Sequence, residues 1–309
     1  MKGKKYLLSL LTIVSMVVFL VACGGDNPAE EDASTNNNAT TEEEEQSNDQ
    51  TEEPTVVAGA PLQDGTYRLE EKDFDDHGWK TFVEIKVEDG KIVATDYDYV
   101  NEEGTLKSED EGYQNAMSDK VGIGPVEFTK ELADALIATQ NALDVDIVSG
   151  ATSSSASFIN YAQQLIQAAQ KGDTETIIIE NQAPLQDGEY SLEEKNIGST
   201  GWRFVMDMTV ADGKIVESNY NYVNADGNYK TDDEDYQELM TEKVGIGPQD
   251  FVPQLNDALV ETQDPAQVEV ISGATHSAEV FKVYAAQLIN AAQKGDTTKI
   301  EIDNVVYEK

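Results

Sequence analysis

The sequence predicts an α+β protein built as two tandem homologous domains, on three observations. From Ala60 onward the chain is written twice. Ala60-Pro61-Leu62-Gln63-Asp64-Gly65 returns as Ala183-Pro184-Leu185-Gln186-Asp187-Gly188, and Val121-Gly122-Ile123-Gly124-Pro125 returns at Val244 to Pro248, each at an offset of 123. A period this long exceeds the 20–50 residues of a solenoid unit and reads as whole domains. Within each copy, segments alternating apolar and charged residues meet at Asp-Gly turns, the pattern of antiparallel hairpins. Other segments space their apolar residues as a helix does.

Read in order, the first copy opens with a strand over 66–70 after the Asp64-Gly65 turn. A hairpin follows, with strands over 82–87 and 92–100 joined through Glu88-Asp89-Gly90-Lys91. The acidic stretch 101–113 reads as a loop. Phe128, Leu132, Leu136 and Ile137 mark a helix facing the core, and Val145 to Val148 reads as a short buried strand. Ser149-Gly150-Ala151-Thr152 then opens a second main helix with Phe158, Tyr161, Leu165 and Ile166 on its buried stripe. Gly172 stands where a left-handed C-terminal residue is needed, and 176–179 is a last strand. The second copy repeats this plan. Domain limits are 58–180 and 181–309.

What precedes the repeats is an address and a spacer. Lys2, Lys4 and Lys5 lead an apolar run from Tyr6 to Ala22, the pattern of a signal peptide over residues 1–22. The run is interrupted by Ser9, Thr12 and Ser15 and is short for a membrane span. Leu20-Val21-Ala22-Cys23 resembles the lipobox of bacterial lipoproteins. That resemblance implies cleavage before Cys23, the single cysteine, and a diacylglyceryl anchor on its sulfur, with the protein on the outer face of the cell membrane. Residues 24–57 hold many acids and no base. With too little apolar surface to offset chain entropy, they read as a disordered linker reaching about 110–120 Å when extended.

Composition excludes several functions. The chain of 309 residues carries 21 Lys+Arg against 60 Asp+Glu, a net charge of −39. That field has the wrong sign for nucleic acid or for electrostatic docking on anionic lipid. One cysteine excludes an intrachain disulfide and a thiolate metal cluster. Two histidines, His77 and His276, do not supply a repeated histidine-based catalytic centre.

The chemistry that survives lies in the Ser-Gly-Ala-Thr tetrapeptide, present in both copies: Ser149, Gly150, Ala151, Thr152 and Ser272, Gly273, Ala274, Thr275. Small residues let backbone N–H groups approach a ligand. A helix N-terminus offers unpaired donors and partial positive charge, which suits a phosphate. Ser154 and Ser277 follow within the first turn. The competing reading is that each threonine only caps its helix.

Asp146-Ile147-Val148-Ser149-Gly150-Ala151-Thr152 resembles the flavinylation motif of the FMN-binding domain family, which includes the covalent-flavin subunits of the Na+-translocating NADH:quinone reductase and of its Rnf-type relative. The Asp-Gly-x-Tyr opening and the Asp-Gly-Lys-Ile hairpin of both copies share in the resemblance. It implies two FMN groups, one on each of Thr152 and Thr275 through a phosphoester, installed from FAD by an ApbE-type flavin transferase. It implies a supporting acid at Asp146, which the second copy replaces with Glu269. Two such domains behind a lipobox and an acidic linker resemble the surface flavolipoproteins of Gram-positive extracellular electron transfer. The implied role is that of a lipid-anchored electron carrier without substrate turnover of its own. It would pass electrons from a membrane NADH dehydrogenase and quinone chain to extracellular acceptors such as ferric iron. Two flavins on one chain suggest a relay in which one receives and the other delivers. The alternative is a non-redox surface binding lipoprotein, adhesin-like or calcium-binding. Against calcium, Asn224-Ala225-Asp226-Gly227-Asn228 fails the EF-hand spacing. Trp79, Tyr97, Tyr99 and Tyr113, with Trp202, Tyr220, Tyr222 and Tyr236, have the rings to stack on a flavin, but core packing is the commoner use of such residues.

Overall fold

A computed structural model describes residues 55–308. The leader, Cys23 and most of the acidic linker lie outside the described residues. The first half runs β1 (Val56–Ala58), β2 (Gly65–Glu71), β3 (Lys80–Glu88), β4 (Lys91–Val100), α1 (Glu111–Val121), α2 (Pro125–Thr139), α3 (Thr152–Lys171) and β5 (Ile177–Ile179). The second half runs β6 (Gly188–Glu194), β7 (Arg203–Ala211), β8 (Lys214–Val223), α4 (Glu234–Val244), α5 (Pro248–Thr262), α6 (Thr275–Lys294), β9 (Ile300–Ile302) and β10 (Val306–Tyr307). This is the α+β class with two sheet-and-helix halves.

Each half holds a four-stranded sheet, in the orders β4-β3-β2-β5 and β8-β7-β6-β9. The hairpins are antiparallel as the alternation requires, but the last strand pairs parallel to the first, Leu69 opposite Ile177 and Leu192 opposite Ile300. Three residues of Ile-rich sequence cannot reveal that direction. The turn between β3 and β4 puts Asp89 and Gly90 at φ 51° and 72°, which Asp and Gly tolerate best. The long helix α3 packs on β2 and β3, and α2 packs on β4. Leu69, Val83, Ile85, Phe128, Leu132 and Phe158 are sealed between them.

Three details differ from the sequence reading. Val145 to Val148 is not a strand. Val145 and Val148 are buried, but the segment joins no sheet, and Val148 N–H is taken by the Ser155 hydroxyl at 3.1 Å. The stretch 101–113 is not all loop: its end starts α1, and its counterpart starts α4, giving three helices per half rather than two. These helices bury no residue completely, so they lack a clear apolar stripe. Their marks are at the ends. The Asp110 side chain accepts from Tyr113 N–H, and Gly122 closes the helix at φ 83°. Lastly, Val56 and Val57, assigned above to the linker, lie in β1, which pairs with β10 at the far end of the chain.

The halves meet along α3 and α6. Asn160 Nδ2 and Gln164 Nε2 donate to Asn290 Oδ1 at 3.0 and 3.1 Å, and Gln167 Nε2 donates to Gln287 Oε1 at 3.1 Å. Gln170 Nε2 donates to the Asp303 carbonyl, and Gln293 Nε2 to the Asn181 carbonyl. The contacts run down one helix and up the other. The two helices are therefore antiparallel and related by an approximate two-fold axis near Gln164 and Gln287. Leu143 of the first half packs into the second core, and Val283 touches both.

Candidate flavin site

The Ser-Gly-Ala-Thr turn leads directly into α3. Gly150 sits at φ 84°, a conformation L side chains rarely adopt, and a Cβ there would come within 2.9 Å of the Val121 carbonyl oxygen and 3.0 Å of Ile123 Cγ2. Gly273 repeats this against Val244 and Ile246. The glycine is thus required twice over, by its backbone conformation and by the close approach. The Val-Gly-Ile-Gly-Pro stretch is therefore the wall on which the turn is built. Its Gly122 ends α1, and its Gly124 begins α2 beneath the side chain of Gln114, which accepts from Val126 N–H at 3.0 Å.

Thr152 is the first residue of α3, not its cap. Ala151 holds the capping position with no side chain to accept a bond, and Ala274 does so before Thr275 in α6. The capping reading of the threonines therefore falls. The first hydrogen bond into each helix comes from Ser155 N–H to the Ala151 carbonyl, or from Ala278 N–H to that of Ala274. Among the described residues, the N–H groups of Thr152, Ser153 and Ser154, and those of Thr275, His276 and Ser277, have no partner. Each helix is 20 residues long, so its dipole adds partial positive charge at that end. The hydroxyl-bearing Thr152 and Thr275 are exposed, as are Ser149, Ser272 and His276. Asp146 and Glu269 are exposed six residues before the threonines.

Donors and hydroxyl together fit a phosphate ester on the threonine: three free N–H groups, small neighbours, and an acceptor oxygen open to solvent. An apolar rim stands beside them. Val121 and Ile147 are 43% and 47% exposed, and their counterparts Val244 and Val270 are 49% and 46% exposed. Such paired exposure of aliphatic side chains around one turn suits the flat ring of a flavin.

The helix start is held from below. The Tyr97 hydroxyl donates to the Ser154 carbonyl at 3.1 Å and lies 2.7 Å from that of Tyr99. In the second half the Tyr222 hydroxyl reaches Ser277 Oγ at 3.3 Å. Farther along, Tyr161 donates to Glu71 Oε1 at 2.7 Å while Thr81 N–H binds Oε2. Tyr284, Glu194 and Phe204 N–H repeat that strut. Burial pushes the phenol of Tyr99 up to about 12 and those of Tyr97, Tyr161, Tyr220 and Tyr284 well above their usual range, so all stay neutral.

The aromatic candidates divide. Tyr97 and Tyr220 are core residues, with Tyr97 packed on Phe158 at 4.8 Å and Tyr220 stacked on Phe204 at 4.8 Å. The others enclose a residue the sequence reading missed. Lys107 is buried, its Nζ lying 5.5 Å from the ring of Trp79, 4.2 Å from Tyr99 and 4.4 Å from Tyr113. Lys230 sits likewise among Trp202, Tyr222 and Tyr236, and burial lowers its pKa to about 8. The available signal was that each lysine lies in an otherwise acidic loop and recurs at the same offset. For calcium, among the described residues no three His, Cys, Asp or Glu side chains converge. The Asn224 side chain is instead occupied by the N–H groups of Asp226 and Asn228.

The two sites lie far apart. Thr152 and Thr275 each stand twelve residues from the helix crossing, at opposite ends of an antiparallel pair. At 1.5 Å per residue that separates them by about 36 Å. The expected hand-over from one flavin to the other would run along this span, less the reach of the two bound groups.

Comparison with known proteins adds the family. Residues 77–167, from the approach to β3 through most of α3, match the FMN-binding domain model. The 15 kDa lipoprotein of Treponema pallidum (strain Nichols) is 45% identical over 117 residues, 38% of this chain and 83% of that protein. The chain belongs to the FMN-binding domain family. Among solved structures, a crystal structure of a Clostridium perfringens protein is 41% identical, covering 38% of this chain and 97% of its own at a TM-score of 0.37. A solution structure from Clostridium thermocellum is 28% identical, covering 37% and 95%, at a TM-score of 0.25.

Proposed function

We propose that the protein is a lipid-anchored electron carrier holding one FMN on Thr152 and one on Thr275, each through a phosphoester to the threonine oxygen. The observation that carries this reading is the pair of uncapped helix starts. Each presents an exposed threonine hydroxyl amid three unpaired N–H groups, in a chain of the FMN-binding domain family. The helix start neutralises the phosphate, Gly150 and Gly273 keep the turn tight against its wall, and the aliphatic rim shelters one face of the ring. Bound flavin supplies the redox chemistry; the chain supplies attachment, orientation and surroundings. An ApbE-type transferase would load the FMN, with Asp146 and Glu269 exposed for that encounter.

Anchoring through Cys23 on the outer face of the membrane is supported by the lipobox and by the lipoprotein name of the treponemal relative. Electrons would come from a membrane NADH dehydrogenase and quinone chain and leave to extracellular acceptors, ferric iron among them. With the sites at opposite ends of α3 and α6, each flavin exchanges electrons with outside partners rather than with its twin.

The test is loss of cofactor. Protein made with the transferase should be yellow, stay yellow after denaturation, and carry two FMN masses. Thr152→Ala and Thr275→Ala should each remove one, and the double variant should be colourless and fail to support extracellular ferric reduction at normal surface levels. Covalent flavin on the double variant would overturn the site. Parental reduction rates in cells lacking the protein, without added flavin, would overturn the electron-transfer role.

A further inference from the structure

We propose that Lys107 and Lys230 set the reduction potential of the flavin in their own half, each as a positive charge caged beneath the first turn of the flavin-bearing helix. The proposal rests on the reading that Thr152 and Thr275 carry FMN.

Three observations carry it. First, the lysines are buried where charge is expensive, each only 6% exposed, and neither ammonium has an ion pair or hydrogen bond among the described residues. An unpaired cation in such a place costs stability that three ring faces repay only in part. In a chain with 60 acidic residues a carboxylate partner would be easy to supply, yet both cages lack one. Second, the same four residues, one Lys, one Trp and two Tyr, build both cages, while about half the paired positions in the two copies differ. A merely space-filling position would be met more cheaply by Met or Leu. Third, the charge points toward the site. Lys230 Nζ is 4.5 Å from the Tyr222 ring, whose hydroxyl is 3.3 Å from Ser277 Oγ, two residues beyond Thr275. In the first half the path is Lys107, the Tyr99 ring, the Tyr97 hydroxyl and the Ser154 carbonyl. One tyrosine bridges ammonium and helix start in the second half and two hydrogen-bonded tyrosines do so in the first. Trp79 and Tyr113 of the first cage also line a cleft of about 470 Å³ open to solvent.

The chemistry is a matter of charge. Two electrons from an electrode and one proton from water would convert a neutral oxidised ring into its reduced anion. With the ring held near the helix start, a cation at about 10 Å in surroundings of effective dielectric about 20 would favour that anion by about tenfold. The −39 net charge of the chain works in the opposite direction, weakened by screening.

The test uses full-length flavinylated protein with one flavin at a time: Thr275→Ala leaves the first site, Thr152→Ala the second. Into these go Lys107→Met and Lys230→Met, with Lys107→Arg and Lys230→Arg beside them. Intact mass, circular dichroism and electrode titration are read for each. The Met variants should keep their FMN and fold but lose about tenfold in reduced-to-oxidised ratio at fixed potential, ~30 mV lower for a two-electron couple. The Arg variants should hold the parental potential. A Met variant with FMN in place and an unchanged or raised potential overturns the proposal. Loss of FMN from a folded Met variant also overturns it, because the lysine then serves attachment. Where a Met variant unfolds, the Arg variant decides: a potential ~30 mV from the parent overturns the proposal and an unmoved one supports it. Absence of FMN from the single-site parent is seen in the mass before any titration. It defeats the attachment reading and this proposal together.

Discussion

In the first half the Tyr97 hydroxyl meets the Tyr99 hydroxyl and the Ser154 carbonyl; in the second, the hydroxyl of its counterpart Tyr220 is buried without a partner. Beside them, Asp98 is buried and accepts from Ser108 and from Tyr99 N–H, and burial raises its pKa. Asn221 does the same work as a neutral amide, accepting from Tyr222 N–H and donating to the Thr231 hydroxyl. The duplicated fold has kept its helix starts, glycine turns and lysine cages, and has let the polar wiring beneath them drift. What both halves retain is the geometry at the threonine. What differs is how each one supports it, so the halves serve as controls for each other.

The largest expected difference is in α5. Pro253, its sixth residue, stands where α2 has Lys130, which pairs with Asp134 one turn on. Proline offers no N–H to the Gln249 carbonyl four residues back. Pro253→Lys, which restores that bond and faces Asp257, should stabilise the protein by about 1–3 kcal/mol in urea melts. No gain would mean the helix start already absorbs the proline.

Next is the caged lysine. The folded-state pKa of Lys230 is about 8, below its unfolded value, because burial disfavours the charge. Between about pH 8 and 10 the unfolded chain therefore binds more protons, and stability rises with pH across that window. The neighbouring phenols of Tyr222 and Tyr236 are raised, so they act in the opposite sense only at higher pH. Lys230→Met should remove a rise of about 1–3 kcal/mol, read from urea melts between pH 7.5 and 9.5. Equal slopes in parent and variant would mean the cage does not hold the ammonium dry.

The smallest effect compares the tyrosines. Tyr97→Phe should cost about 1 kcal/mol, since it removes a buried hydroxyl with two partners. Tyr220→Phe should be neutral or slightly stabilising, since it removes a hydroxyl with none. Equal costs in paired melts would show that Tyr220 finds a partner in solution.

Much of this was legible in the chain. The hairpins followed from alternation and Asp-Gly turns, and the long helices from spacing and the C-terminal glycines. The place of both threonines at a helix start followed from the repeated tetrapeptide. The parallel pairing of β5 and β9 was hidden because three residues carry no direction. The helices α1 and α4 were hidden because Tyr113 and Met117 only half bury themselves and leave no stripe. Val145 to Val148 misled because buried valines read as strand whether or not a neighbouring strand is free to pair. The cages were hidden because a lysine in an acidic loop reads as exposed charge. Only three dimensions bring Trp79, Tyr99 and Tyr113 around it.

The central claim is that Thr152 and Thr275 are the attachment points, and the most direct measurement is peptide mapping of flavinylated protein. Digestion followed by fragmentation mass spectrometry should find the FMN phosphoryl mass on the Thr152 side chain and on the Thr275 side chain, and on no other residue. FMN on Ser149, Ser153, Ser154, Ser272 or Ser277 with bare threonines, or peptides free of flavin in a protein that is nevertheless yellow, would contradict it.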